Sequence, residues 1–454
     1  MMTLKKIAGY AILSGAVSLV ALQVAHAAIP IEHWTQASGV QIYLVQSPGI
    51  PMVDVQIDFD AGSRRDPPTQ AGLARITASM SGKGVLAGAA VSEAALDENA
   101  LGEAWADLGA SFGASASNDR MSFSLRSLTY PDLLPKAVRL AARELGQPAF
   151  PDKIWQRERS TLNAALKEAN TRPATLAERA FNAAVYGAHP YGFEMTEASV
   201  ARITVADMKA TYGAQIQPCR AKVTLVGAVD RTQADALVTQ LFAHLPTAAQ
   251  ACAPLPAVVE VAPLKQSADL RIAFDSAQAH VLMGQPGYKR DDPDYFALTV
   301  GNYILGGGGF VSRLTTQVRE KRGLSYSVYS YFAPGLHAGA FTLGLQTRPD
   351  QADQAVQVSR DVVTKFVADG PTAEELQAAK DNLIGGFALR VDSNRKLLDN
   401  IANIAWNNLS LNYLETWTQQ VEQVSLADIR AAFARKLQPT NMVTVVVGGA
   451  EVVK

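Results

Sequence analysis

The sequence predicts a two-part α/β fold of the α+β sandwich kind, in which two homologous halves each build a largely antiparallel sheet packed with helices. Three observations predict it. Residues 203–227 (ITVADMKATYGAQIQPCRAKVTLVG) align without a gap on residues 424–448 (VSLADIRAAFARKLQPTNMVTVVVG), an internal repeat at an offset of 221. Ala206, Asp207, Ala210, Gln217, Pro218, Val226 and Gly227 recur as Ala427, Asp428, Ala431, Gln438, Pro439, Val447 and Gly448. Gly62-Ser63-Arg64-Arg65-Asp66 has a fainter echo in Gly287-Tyr288-Lys289-Arg290-Asp291, each placed after a strand and before a helix. Period-two β-rich runs also alternate with longer helical segments along the chain.

In chain order, Lys5 and Lys6 precede an uncharged apolar run over residues 7–24, and Ala25-His26-Ala27 follows. That order predicts a secretory signal peptide over 1–27 with an A-x-A cleavage site, an uncleaved membrane anchor being the other reading of the long run. A first half is expected over 32–248, with strands at 39–46, 53–61, 122–128 and 221–226 and helices at 69–81, 135–145 and 153–169. An Ala- and Pro-rich linker, 249–261, leads to a second half over 262–454. Its strands are expected at 270–275, 280–285, 326–332, 339–346 and 442–447, and its helices at 293–305, 350–369 and 374–391. In both repeat copies Thr204 or Ser425 caps an amphipathic helix, and a Gln-Pro break leads into a strand ending in glycine. Thr372 and Glu375 have capping-box spacing, and Asp292-Pro293 reads as a cap followed by proline at the first helical position.

The chain has 454 residues, a formal net charge of −1, 48 % apolar and 18 % charged residues, which describes a globular protein with ample core. The balance gives no general pull toward nucleic acid or anionic lipid, and after the first segment no comparable apolar run recurs. The expected home is an oxidising compartment, the bacterial periplasm. There the two cysteines, Cys219 and Cys252, either close one disulfide or sit as two buried thiols.

The stretch GGGGFVSRLTTQVREKRGLSY stands out chemically. Gly306, Gly307, Gly308 and Gly309 point to a backbone that bends or is approached closely, at a substrate-binding surface or hinge. Ser312 caps the helix that follows and Gly323 ends it, so Arg319 and Tyr326 face each other across a helix end and a turn. Such a pair can converge on one ligand. Tyr326, Tyr329, Tyr331 and Phe332 read as a core strand, with peptide binding by an exposed strand edge as the alternative.

Other chemistry is missing. No two of His26, His33, His189, His244, His280 and His337 are four apart, so no helix offers a local zinc-gripping histidine pair. The glycine run is neither a Walker loop nor a G-x-G-x-x-G. Glu158, Glu168 and Glu375 read as solvated helix residues.

Gly62-Ser63-Arg64-Arg65-Asp66-Pro67, Ala71-Gly72-Leu73-Ala74, Met80 and Lys83-Gly84 together resemble the zinc-site region of the pitrilysin-like and insulinase-like (M16) metallopeptidases. Residues 306–326 resemble that family's glycine-rich segment and its Arg/Tyr pair. The resemblance spans nearly the whole mature chain. It places the inverted motif H-x-x-E-H on Arg75-Ile76-Thr77-Ala78-Ser79: Arg75 and Ser79 stand where the histidines would be and Ala78 where the water-activating glutamate would be. Glu158 falls on the accessory acid and Ala165 on the distal ligand. The resemblance therefore implies no metal in this chain and zinc on a partner. The chain reads as the non-catalytic subunit of a heteromeric zinc peptidase, inactive alone. Its H-x-x-E-H partner binds zinc, Arg319 and Tyr326 complete the active site, and peptides or unfolded chains are the substrate. The alternative is a binding or scaffold protein that kept the fold and lost the chemistry.

Overall fold

The computed structural model describes residues 29–88, 93–246 and 252–449. The apolar run 7–24, the cleavage site, residues 247–251 at the junction of the first half and the linker, and the last five residues lie outside them. Among the described residues no helix is long and apolar enough to cross a membrane.

The first half runs β1 (Glu32–Thr35), β2 (Gln41–Gln46), β3 (Met52–Phe59), α1 (Leu73–Ser81), β4 (Gly84–Val85), β5 (Leu96–Asp97), α2 (Glu98–Asp107), β6 (Ser111–Ala116), β7 (Met121–Leu128), α3 (Leu134–Gly146), α4 (Asp152–Ala169), α5 (Pro173–Tyr186), α6 (Glu197–Arg202), α7 (Val205–Gln215), β8 (Lys222–Gly227) and α8 (Arg231–Leu241). The second runs β9 (Ala268–Ile272), β10 (Ala279–Pro286), α9 (Tyr295–Asn302), β11 (Val328–Phe332), β12 (Ala340–Thr347), α10 (Ala352–Asp369), α11 (Ala373–Gly385), α12 (Asn394–Trp406), α13 (Tyr413–Gln423), α14 (Leu426–Lys436) and β13 (Val443–Val447).

One sheet has the order β1-β2-β8-β3-β7-β6 and the other β11-β12-β10-β13-β9. Read from the β6 and β11 edges, the two sheets share one plan: β8 pairs parallel with β2 and antiparallel with β3, as β13 does with β9 and β10. The repeat is thus a repeat of topology. Each sheet turns one face to its own half's core, with Val53, Val55, Ile57 and Phe59 on one side and Val281, Met283, Phe341 and Leu343 on the other.

The opposite faces are covered crosswise. α5 of the first half lies on the second sheet, where Ala177, Phe181 and Val185 pack against Leu282, Val443 and Val445. α12 of the second half lies on the first sheet, where Leu398, Ile401 and Ala405 pack against Tyr43, Val45 and Val226. The two helices begin at Pro173 and Asn394, at the offset of the sequence repeat. Gly284 makes room for this exchange: a Cβ there would lie 2.8 Å from the Phe181 ring. Lys222 Nζ donates to the Ala405 carbonyl at 2.6 Å and so also ties α12 to β8. Cys219 and Cys252 are joined as a disulfide with Cα atoms 5.8 Å apart, fastening the linker to the turn before β8.

Local boundaries depart from the sequence reading where glycine or a side chain intervenes. α1 begins at Leu73, not 69, because Gly72 is left-handed (φ +102°). The helix expected over 374–391 stops at Gly385, before Gly386 and a short turn over Phe387–Arg390. α9 begins at Tyr295; Asp292 Oδ1 instead accepts from the Asp294 N–H at 2.9 Å, so the Asp-Pro pair forms a turn ahead of the helix. The capping boxes at Thr204, Thr372 and Ser425 form as spaced. The strand expected from 326 begins at Val328, since Tyr326 stands out of the sheet in the preceding turn.

Candidate functional site

Two wide helical turns flank the glycine run. α9 loosens over Tyr303–Gly307, where Gly308 N–H reaches back to the Tyr303 carbonyl at 2.8 Å. A second wide turn occupies Thr315–Glu320, with Lys321 N–H donating to the Thr316 carbonyl at 3.1 Å. Such widened turns recur at functional sites. Gly306 packs against β11, where a Cβ would come within 2.4 Å of Ser330 Oγ, and Gly309 takes φ +61° with open space around it. Asn302 latches the segment down by donating to the Ser330 carbonyl at 3.0 Å and accepting from Ser330 Oγ at 2.8 Å. Gly306 therefore presses backbone onto the strand, while Gly307 and Gly308 close against Asn302 and Tyr303 of the preceding turn.

Ser312 caps the next helix by accepting from Thr315 N–H, and Gly323 (φ +61°) closes it with its N–H on the Arg319 carbonyl at 2.8 Å. Arg313 braces this helix through a two-pronged pair with Glu375, both contacts 2.6 Å. The result presents Arg319 outward. Its guanidinium carbon sits 4.9 Å from the Tyr326 ring centroid and 4.7 Å from that of Phe310. Tyr326 is 83 % exposed and Phe310 70 %. Arg319 and Tyr326 are thus brought together, as the sequence implies, and Phe310 is a third member that sequence reasoning missed; an aromatic residue placed directly after four glycines was the available signal. The stacking holds the guanidinium by cation–π contact and leaves its N–H groups free of hydrogen-bond or ion-pair partners among the described residues.

On α1, Arg75 and Ser79 lie one turn apart on the exposed face while Ala78 is buried in the core at 2 %. This helix carries no zinc donors. Asp66 is engaged by the N–H groups of Gly72 (2.9 Å) and Ala74 (3.0 Å) at the start of α1, and burial pushes its carboxyl up to about 7. Glu158 on α4 joins Lys83 (3.4 Å) and Arg157 (2.6 Å), and Glu98 pairs with the same two cations. Glu168 pairs with Arg172, and Ala165 is an exposed methyl. Among the described residues no group of three or more His, Cys, Asp or Glu side chains could hold a metal ion. Zinc takes neutral or anionic N, S or O ligands, and an arginine at the first position does not fit it.

Arg75 instead lines a polar cavity of about 230 Å³ that opens between the halves, with Asn118, Asn182, Tyr191, Tyr331 and Thr342 in its wall. Neither Arg319 nor Tyr326 reaches it. Tyr329 and Tyr331 stack on each other at 6.0 Å and are half-exposed, while Phe332 is packed against the second core.

Family models match both parts of the chain: insulinase (peptidase family M16) over residues 41–198 and peptidase M16 inactive domain over 202–383. A solved peptidase M16 inactive domain from Pseudomonas fluorescens superposes with a TM-score of 0.85 at 33 % identity, covering 93 % of this chain and 99 % of that one. The chain belongs to the M16 peptidase family. An uncharacterised zinc protease of Mycobacterium tuberculosis is 27 % identical over 89 % of this chain and 90 % of its own. A non-peptidase homolog of Helicobacter pylori is 26 % identical over 84 % and 85 %. M16 relatives of this length thus bear both protease and non-peptidase names, and the residues on α1 set this member apart from a zinc-binding one.

Proposed function

We propose that this chain is the non-zinc subunit of a periplasmic, heteromeric M16 peptidase whose metal and general base reside on an H-x-x-E-H-bearing partner. The carrying observation is the exposed Phe310–Arg319–Tyr326 stack, with guanidinium and phenol aimed outward beside a backbone that glycine keeps close-packed. A tyrosine hydroxyl there donates to the oxyanion of a tetrahedral peptide intermediate, and the arginine holds a substrate carbonyl and keeps the ring in place. Gly306 to Gly309 form the floor of that surface. Residues 1–27 serve as the export signal, 32–248 and 262–454 as the two M16-like domains, and 249–261 as their linker. The second reading, an inactive binding or scaffold protein, is favoured by the name of the Helicobacter pylori relative and by the inactive-domain matches.

The experiment is reconstitution. The purified chain binds no stoichiometric zinc and cleaves no unstructured peptide; mixed with its H-x-x-E-H partner it yields a zinc-dependent peptidase. Stoichiometric zinc with activity in the isolated chain ends the proposal, and assembly without any gain in cleavage leaves the scaffold reading in its place.

A further inference from the structure

We propose that the cavity between the halves is a docking site for the C-terminal residue of a peptide, whose free carboxylate is held by Arg75. At about 230 Å³ it falls below the roughly 300–1,000 Å³ of sites for drug-sized ligands, so it takes a single residue-sized group. Its wall comes from both halves: Arg75 from α1, Asn118 from the β6–β7 turn and Asn182 from α5 face Tyr331 on β11 and Thr342 on β12. Among the described residues the Arg75 guanidinium, the Nδ2 groups of Asn118 and Asn182 and the Tyr331 hydroxyl have no hydrogen-bond partner, although Asn118 Oδ1 accepts from Ser63 Oγ at 3.3 Å. The cavity therefore presents a surplus of donors around one unpaired cation.

The acidic groups in the wall are already engaged. Asp66 accepts from the start of α1, and Glu194 accepts from Arg179 Nε at 3.0 Å. A planar, singly charged carboxylate matches an arginine fork backed by neutral amide and hydroxyl donors. A doubly charged phosphate would stand close to Asp66 and Glu194 in a small space. Met195 and the Tyr331 ring supply apolar surface for the side chain of the same terminal residue. The substitution that removes a metal ligand from α1 thus installs a carboxylate anchor.

This site is independent of Arg319, Tyr326, zinc and any partner chain, so its failure would leave the proposed peptidase role standing. The test is calorimetric titration of the isolated chain with N-acetyl-Ala-Ala-Phe as the free acid and as the carboxamide. The acid should bind one to one, and the carboxamide at least about tenfold more weakly. Arg75→Gln, at an exposed position with no hydrogen bond or ion pair to lose among the described residues and only its field on Asp66 removed, should weaken the acid by roughly 10–100-fold and leave the carboxamide unchanged, with the folded state retained in a melting curve. Asn182→Asp should do the same by placing a like charge in the wall. No binding of the acid at millimolar concentration, equal affinities for acid and carboxamide, or wild-type affinity in both variants overturns the proposal. So does inorganic phosphate that binds to the exclusion of the acid.

Discussion

In the first half the carboxyls of Asp58, Asp66 and Glu144 lie buried, and burial raises all three above their ordinary values; in the second half Asp294 and Glu375 pair with Arg435 and Arg313 nearer the surface. The two sheets share one plan, yet the first half keeps charge inside and carries an arginine in the first turn of α1. The second half opens its equivalent edge with a glycine run and an outward aromatic stack. A duplicated fold therefore fixes the frame while the chemistry diverges at exposed positions of α1 and of the turn before β11. What prevents the halves from drifting apart is the crosswise exchange of α5 and α12.

That exchange is the feature whose disruption should cost most. Phe181→Ala should destabilise the chain by about 3–5 kcal/mol and Ile401→Ala by about 2–5 kcal/mol. Denaturant unfolding should show one shared transition for both variants. A separate early transition confined to one half would mean that the halves are stable alone and that the cross-packing is incidental.

The disulfide sharpens the same point at the linker. Cys252→Ser opens a bridge between residues 33 apart, and the expected loss is about 2–4 kcal/mol under non-reducing conditions. Equal stability of variant and wild type would place the linker's anchorage elsewhere.

Titration separates the halves by charge. Glu144 accepts from Trp105 Nε1 at 2.9 Å, yet its burial pushes its carboxyl from 4.5 up to about 7. The folded state then holds more protons than the unfolded chain between those values. Its contribution is full below pH 4.5 and is lost as pH rises through about 7. Glu144→Gln should remove a slope worth on the order of 1–3 kcal/mol over that window in pH-dependent melting. Glu375→Gln, in the second half, should leave the slope in place. The reverse result would relocate the pH sensitivity.

The smallest effect is expected at the glycine run. Gly309→Ala at φ +61° should cost about 1 kcal/mol because the space around it is open. Gly306→Ala, which meets Ser330, should cost more and should displace the Phe310–Arg319–Tyr326 stack. Equal melting of the two would remove the close approach as the reason for the run.

The repeat, most of the strands and the closeness of Arg319 to Tyr326 were legible in spacing, while the reading of that pair as a site came from the family resemblance. Period two gave the strands, and a capped helix followed by glycine gave the turn. The crosswise covering was not. Asp54, Gln56 and Asp58 alternate along β3 with apolar residues, a pattern that ordinarily marks a solvated face. Here Asp54 pairs with Arg126 at 2.6 Å and Asp58 with Arg120 at 3.0 Å, and α12 arrives from far along the chain to bury them. Likewise β6, SFGASA, lacks β-branched residues and holds its place through pairing with β7, a tertiary effect that local propensity does not carry. The residues around Arg75 were hidden for the same reason, since their neighbours come from other elements, whereas Phe310 stacks within its own stretch and was simply overlooked.

The most direct test of the central claim, that the second half supplies transition-state contacts to a metal held by another chain, is steady-state cleavage by the reconstituted complex carrying Tyr326→Phe. Removing one hydroxyl should lower kcat by roughly 10²–10³-fold with KM, assembly and zinc content nearly unchanged. Wild-type kcat in an intact, zinc-loaded complex would contradict it.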